Sequence, residues 1–216
     1  MAVTQIAIYG AGGLARETAW LIQACNHRRR NFEVMCFIEE PDRLHETTLN
    51  GIPVLVLDAV REKFPEAKVV SGVGTPAVRQ RLMEKAAAAG FSFQTIIHPR
   101  AEVSQWVEIG EGTVICAGNI ITTNIRIGRH VHINLDCTIG HDVILDDYAT
   151  LTPGVHVSGC VHVGRAAYIG TGANIVNGTP EKPLVIGEGA IIGAGACVVG
   201  SLPPGVTAVG VPARAR

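Results

Sequence analysis

Thirteen aliphatic residues recur at intervals of six without a miss, from Val103 through Ile109, Ile115, Ile121, Ile127, Ile133, Ile139, Leu145, Leu151, Val157, Val163 and Ile169 to Ile175. Neither the 3.6-residue period of a helix nor the two-residue period of a strand generates such a run. A hexapeptide repeat does. It predicts a parallel β-helix in which three hexads make one coil, and coils stack at the inter-strand spacing of about 4.8 Å. The fourth residue after each aliphatic is mostly small or β-branched, as at Val107, Thr113, Val131, Cys137, Val143 and Ala149, which suits a narrow interior. The frame breaks once, at "NGTPEKPLV", resumes with Ile186, Ile192 and Val198, and ends at "SLPPGV". The break predicts a short loop extruded from a corner.

Before "HPRAEV" the rhythm is different. "QIAIYG", "FEVMCFIE" and "AKVVSGVG" read as buried strands, while "LARETAWLIQAC" and "PAVRQRLMEKAAAAG" read as helices, the second stopped by Gly90. Strand and helix in alternation predict a small parallel α/β sheet. The chain therefore divides into an α/β domain over residues 1–95 and a β-helix over residues 96–216. The unshielded flanks of the coils predict a homo-oligomer.

Composition narrows the function. Eighteen basic residues against nineteen acidic ones leave a formal charge of -1, and the one basic run, at residues 28–30, reads as a solvated loop. Nucleic acid is not expected as a partner. Six scattered cysteines without a CxxC spacing read as reduced thiols, and no apolar run reaches membrane-spanning length. With no leader ahead of "TQIAIYG", the expected location is the cytoplasm and no membrane partner is expected.

Two stretches carry candidate chemistry. Gly10-Ala11-Gly12-Gly13-Leu14-Ala15 follows a strand and opens a helix, so its amides face an anion. As GxGxxA it admits NAD, with Glu39 or Glu40 on a ribose, but half a dinucleotide fold suits a mononucleotide better. In "CTIGHDVI", His141 and Asp142 take the third and fourth positions of a hexad and face outward at a corner. A histidine is a suitable base at neutral pH, and a neighbouring carboxylate orients it.

The hexads over residues 103–199, the closing Gly210-Val211-Pro212-Ala213-Arg214 and the preceding "IYGAGGLARE" resemble the hexapeptide-repeat acyltransferases. Within them the chain is similar to the sugar acetyltransferases that include sialic acid O-acetyltransferases and nucleotide-amino-sugar N-acetyltransferases. The resemblance implies a left-handed winding behind a Rossmann-like half domain, a homotrimer with active sites between subunits, and acetyl-CoA as cosubstrate without a metal. It implies His141 as base with Asp142 beside it, and a thioester-contacting amide at Gly159. Thr171 and Ala194 correspond to pantetheine contacts, and Arg214 or Arg216 to phosphate contacts. A nucleotide-sugar would touch Gly12, Gly13, Leu14, Glu39, Glu40 and Gly74, with Asn134 lining the sugar pocket. Thr150 stands where some relatives carry a second histidine. The remaining repeat histidines, His130, His132, His156 and His162, together with His98, are expected at the surface.

The leading expectation is N-acetylation of a nucleotide-linked amino sugar, with O-acetylation of a sialic acid or related sugar as the alternative. A zinc hydro-lyase like the γ-carbonic anhydrases needs two histidines five residues apart, and the repeat offers none. A non-catalytic nucleotide-sugar sensor would lack the base, which is present.

Overall fold

A computed structural model describes residues 3–27 and 31–216; the arginines at 28–30, expected in a solvated loop, lie outside the described residues. The N-terminal unit is built on β1 (Thr4–Tyr9), α1 (Gly13–Cys25), β2 (Phe32–Ile38), β3 (Thr48–Leu49), β4 (Ile52–Leu55), α2 (Leu57–Lys63), β5 (Lys68–Ser71) and α3 (Pro76–Ala88). The sheet order is β3-β4-β2-β1-β5, with β1 parallel to both β2 and β5. Ile6, Ala7, Ile8 and Tyr9 are all sealed from solvent, as expected of a central parallel strand covered on both faces. Pro76 opens α3, where its missing N–H loses no bond, and Gly90 at φ 91° closes it.

The antiparallel β3–β4 hairpin and α2 were not among the elements read from the sequence. The hairpin turns on Asn50-Gly51, both at positive φ, a pair with a strong preference for this kind of turn.

From Ile96 onward the chain passes in rotation through three sheets, within which successive strands are mostly parallel and 18 residues apart. Among the described residues the first side runs in six strands from Glu102–Val103 to Cys197–Val198, and the second in five from Val107–Ile109 to Leu184–Ile186. The third has eight, from Ile96–Ile97 to an antiparallel closing strand at Arg214–Ala215. The aliphatics of the six-residue frame from Ile115 to Ile175 are buried, as are the small residues that follow four places later from Val131 to Ala173. Each buried aliphatic contributes about 1.5–3 kcal/mol. After Val163 the step between paired strands is 23 residues, and the surplus is the loop around Thr179–Lys182, at the corner where the frame breaks.

The α/β unit lies over the outward face of the third side, where Val114, His132 and Thr150 are buried. This corrects the expectation for three histidines. His130, His132 and His98 occupy outward positions of the repeat or its first turn, yet all are buried. His130 stacks on Tyr148 and meets Phe93 edge-on, so outward there means into the joint between the two units. His156 is exposed and His162 half-exposed, as expected.

Candidate active site

The strand Thr138–Ile139 on the first side ends at Gly140, where the chain turns towards the second side. A Cβ on Gly140 would meet the Gly159 nitrogen of the next coil at 2.8 Å, so only glycine lets the coils close up here. His141 and Asp142 follow on the corner, Asp142 at φ 59°, both side chains at least half exposed. The His141 Nδ1 stands 2.7 Å from Asp142 Oδ2. An ionised carboxylate only accepts, so Nδ1 carries the proton and donates, which leaves the Nε2 lone pair free to take a proton from a substrate.

One coil on, Gly159 lies against this ring; a Cβ there would come within 2.5 Å of Nε2. Among the described residues the Gly159 N–H has no internal acceptor. A free lone pair and a free amide donor thus share one corner, the combination that acyl transfer needs for proton removal and oxyanion binding. An open hollow of about 650 Å³ borders Asp142, walled by Trp106, Arg126 and Ile144. Donor atoms of His141, Asp142 and Cys160 all lie within 4.8 Å of one another, the one such trio among the described residues. It is a mixed set, unlike the three-histidine site of a zinc hydro-lyase.

A second cavity, of about 510 Å³, lies at the carboxyl ends of the α/β strands. Gly12, Gly13, Leu14, Glu39, Glu40 and Gly74, six residues singled out from the sequence, all line it, together with Asp42, Arg43 and Arg81. Its glycines divide by cause. A Cβ on Gly72 would strike Ala15 of α1 at 2.6 Å, so Gly72 serves packing, whereas Gly12 and Gly13 face open space and nothing in the protein requires them to be glycine. Gly12 caps α1 without a side chain, leaving the first-turn amides open to the cavity.

Glu40 is engaged by the Tyr9 hydroxyl at 2.6 Å and by Lys85 at 2.9 Å. Burial alone would raise its carboxyl, but these two partners hold it below the usual range. Burial, then Glu40, pushes the Tyr9 phenol well up. The interaction leaves Glu39 as the less committed carboxylate of the pair, its Oε1 accepting only the Glu40 N–H.

Other residues singled out from the sequence lie apart. Asn134, Thr171 and Ala194 follow strands of the third side, at the corner where the chain turns towards the first side, away from the His141 corner. Arg214 belongs to the closing strand. Thr150 is sealed beneath the α/β unit, donating to the Gly74 carbonyl at 3.0 Å and accepting from Arg79 at 2.8 Å. Arg79 itself was missed. It is fully buried, burial pulls it down to about 9, and it stays protonated at neutral pH. The cavity over the third side and the base at the corner between the other two sides occupy different faces of one chain.

Residues 5–86 match the PglD N-terminal domain family. The chain is 36% identical to GDP-perosamine N-acetyltransferase of Escherichia coli O157:H7 over 96% of its own length and 94% of that protein. Among solved structures it resembles a histidine-to-asparagine variant of perosamine N-acetyltransferase from Caulobacter crescentus in complex with CoA and GDP-perosamine. That match has 32% identity and TM-score 0.88, over 100% of this chain and 98% of the other. The acetyltransferase domain of PglB from Neisseria gonorrhoeae FA1090, in complex with acetyl coenzyme A, matches at 30% identity and TM-score 0.87 over the whole of both chains.

Proposed function

The chain belongs to the hexapeptide-repeat sugar acetyltransferases and takes its acetyl group from acetyl-CoA, and on that premise we propose that it N-acetylates an amino sugar carried on a nucleotide. The observation that carries this reading is the His141–Asp142 pair at 2.7 Å beside the free Gly159 amide. Nε2 of His141 removes a proton from the amine as its nitrogen attacks the thioester carbonyl. The oxyanion of the tetrahedral intermediate accepts the Gly159 N–H. Collapse breaks the carbon–sulfur bond, and the imidazolium returns its proton to the departing CoA thiolate. Asp142 keeps the ring in the required tautomer throughout.

The nucleotide moiety belongs in the cavity of the α/β unit, with its phosphates on the α1 amides and Glu39 towards its ribose and base. Because cavity and base sit on different faces, a sugar held by one chain is acetylated at the corner of a second copy. A homotrimer of left-handed β-helices, as the family implies, provides that arrangement. Exposed Trp106, Ile120, Ile191, Val199 and Val211 support self-association. Asn134, Thr171, Ala194 and Arg214 then face the sugar and CoA across the subunit boundary. Among the described residues no helix is long and apolar enough to cross a membrane. A cytoplasmic location suits the supply of acetyl-CoA. Two relatives are named for GDP-perosamine, as substrate or as bound ligand, which favours an amine over a sialic acid hydroxyl as acceptor.

The test is an acetyl-transfer assay over GDP- and UDP-linked amino sugars and sialic acids, run with wild type, His141→Ala and His141→Asn. Turnover on an amino sugar, lost in both variants while calorimetry still detects CoA binding, is the expected result. Undiminished turnover in His141→Ala would refute the assignment of the base.

A further inference from the structure

Among the described residues Arg79 on α3 has no carboxylate partner. Nε donates to the His130 carbonyl at 2.9 Å, and Nη1 to the carbonyls of Val73 and Gly74 at 3.0 and 2.9 Å. Nη2 reaches the carbonyls of Tyr148 and Ala149 at 2.6 and 3.1 Å and Thr150 Oγ1 at 2.8 Å. Every N–H of the fork is therefore satisfied, but by dipoles alone, and the positive charge persists inside the protein. A bolt between two units needs no charge. It does need donors, because an apolar side chain would leave these carbonyls buried and unsatisfied, but a charged fork gripping a cavity-lining turn calls for a second reason.

The Val73–Gly74 turn supplies one. Both of its carbonyls point at the guanidinium, and Thr150 Oγ1 adds a second bond to Gly74 O at 3.0 Å. In a trans peptide the N–H points opposite to the C=O. The amides of Gly74 and Thr75 are thus turned away from Arg79, to the side where Val73 and Gly74 line the 510 Å³ cavity. Among the described residues neither amide has an internal acceptor. The cation and the two peptide dipoles stand in series, their N–H ends directed away from Arg79 on a turn of which Val73 and Gly74 line the cavity.

We propose that Arg79, with Thr150, is a positioning residue for the nucleotide-sugar: it holds the Val73–Gly74 turn so that the Gly74 and Thr75 amides bind the diphosphate. This rests on the nucleotide reading of the cavity. The substrate class it selects is a nucleoside diphosphate sugar, whose two phosphates meet amides from both walls. Arg79 touches no ligand; it acts through the turn, and through a substrate that acetyl-CoA does not share.

Arg79→Lys keeps the charge without the fork, and Thr150→Val keeps the shape without the bond to Gly74. Calorimetric titration with GDP, UDP and CoA, together with the KM of each substrate, separates positioning from mere support. The expected result is a tenfold or greater rise in nucleotide Kd and nucleotide-sugar KM for Arg79→Lys. Thr150→Val should show a rise of about fivefold, with CoA Kd, acetyl-CoA KM and kcat within twofold of wild type in each. If Arg79→Lys fails to fold, Thr150→Val alone decides. Nucleotide affinity within twofold of wild type in a folded variant, or an equal loss for nucleotide and CoA, overturns the proposal. Wild type that binds neither GDP nor UDP would instead overturn the nucleotide reading itself.

Discussion

Gly159 stands one coil beyond His141, so close that a Cβ on it would lie 2.5 Å from the imidazole Nε2. The ring and the amide are held together by the absence of a side chain. Gly159→Ala must push the imidazole off the corner while leaving the buried frame intact. Its kcat should fall at least tenfold with CoA binding retained, as read by steady-state kinetics and calorimetry. An alanine variant with normal kcat would mean that this contact has no part in transfer.

Asp142→Asn keeps the shape of the pair but offers an amide that can donate as well as accept, so the ring loses its fixed tautomer. A fall in kcat of about 10²-fold is expected. Asp142→Glu should recover part of it. Equal rates for the asparagine variant and wild type would remove Asp142 from the mechanism.

Two cavity glycines should respond in opposite ways. Gly72→Ala drives a methyl into Ala15 of α1 and should destabilise by about 1–3 kcal/mol, visible as a lowered Tm. In Gly13→Ala the methyl meets only open space, so Tm should hold while the KM for the nucleotide-sugar rises. A lowered Tm in Gly13→Ala together with an unchanged KM would assign that glycine to the fold.

Acid should weaken the joint between the units. Burial first, then Arg79 and Arg129, lowers His130 to about 4 against Asp147, and burial with Arg79 and His130 holds His132 well below the usual histidine range. Unfolded, each titrates near 6.5, so between about pH 6.5 and 4 the unfolded chain binds more protons than the folded one. The stability from neutral His130 is complete above that window and drains away as pH falls through it, by about 2 kcal/mol from pH 7 to pH 5. Urea unfolding at the two pH values measures this, and His130→Phe should flatten the difference. An unchanged slope in the variant would exclude His130 as its source.

What could be read from the chain alone follows from how local each cause is. Hexads announce themselves because every coil must meet the same narrow interior, and the corner pair His141–Asp142 came with the phase of that count. Of the six cavity residues the glycine turn and the acidic pair Glu39–Glu40 were legible through GxGxxA and the second strand, while Gly74 came only with the family resemblance. Arg79 was not, because it is one of two arginines on a helix and its acceptors lie up to 71 residues away. His130 and His132 were misread for a related reason: a repeat tells which side chains point out, not what they point into. Asn50-Gly51 was a legible hairpin signal that went unread beside the stronger helices.

The loop between the strands Asn174–Ile175 and Leu184–Ile186 shows how this architecture can change its length. Extra residues leave the stack at a corner and the ladder resumes in phase, since His162 still pairs with Val185. Insertions and deletions therefore act in two distinct ways. At this corner they are absorbed, and the place is suited to an affinity tag or a reporter peptide. Inside a strand such as Thr138–Ile139, loss of one residue would break the six-residue phase at that coil and expose its aliphatic unless a neighbouring corner restored the count.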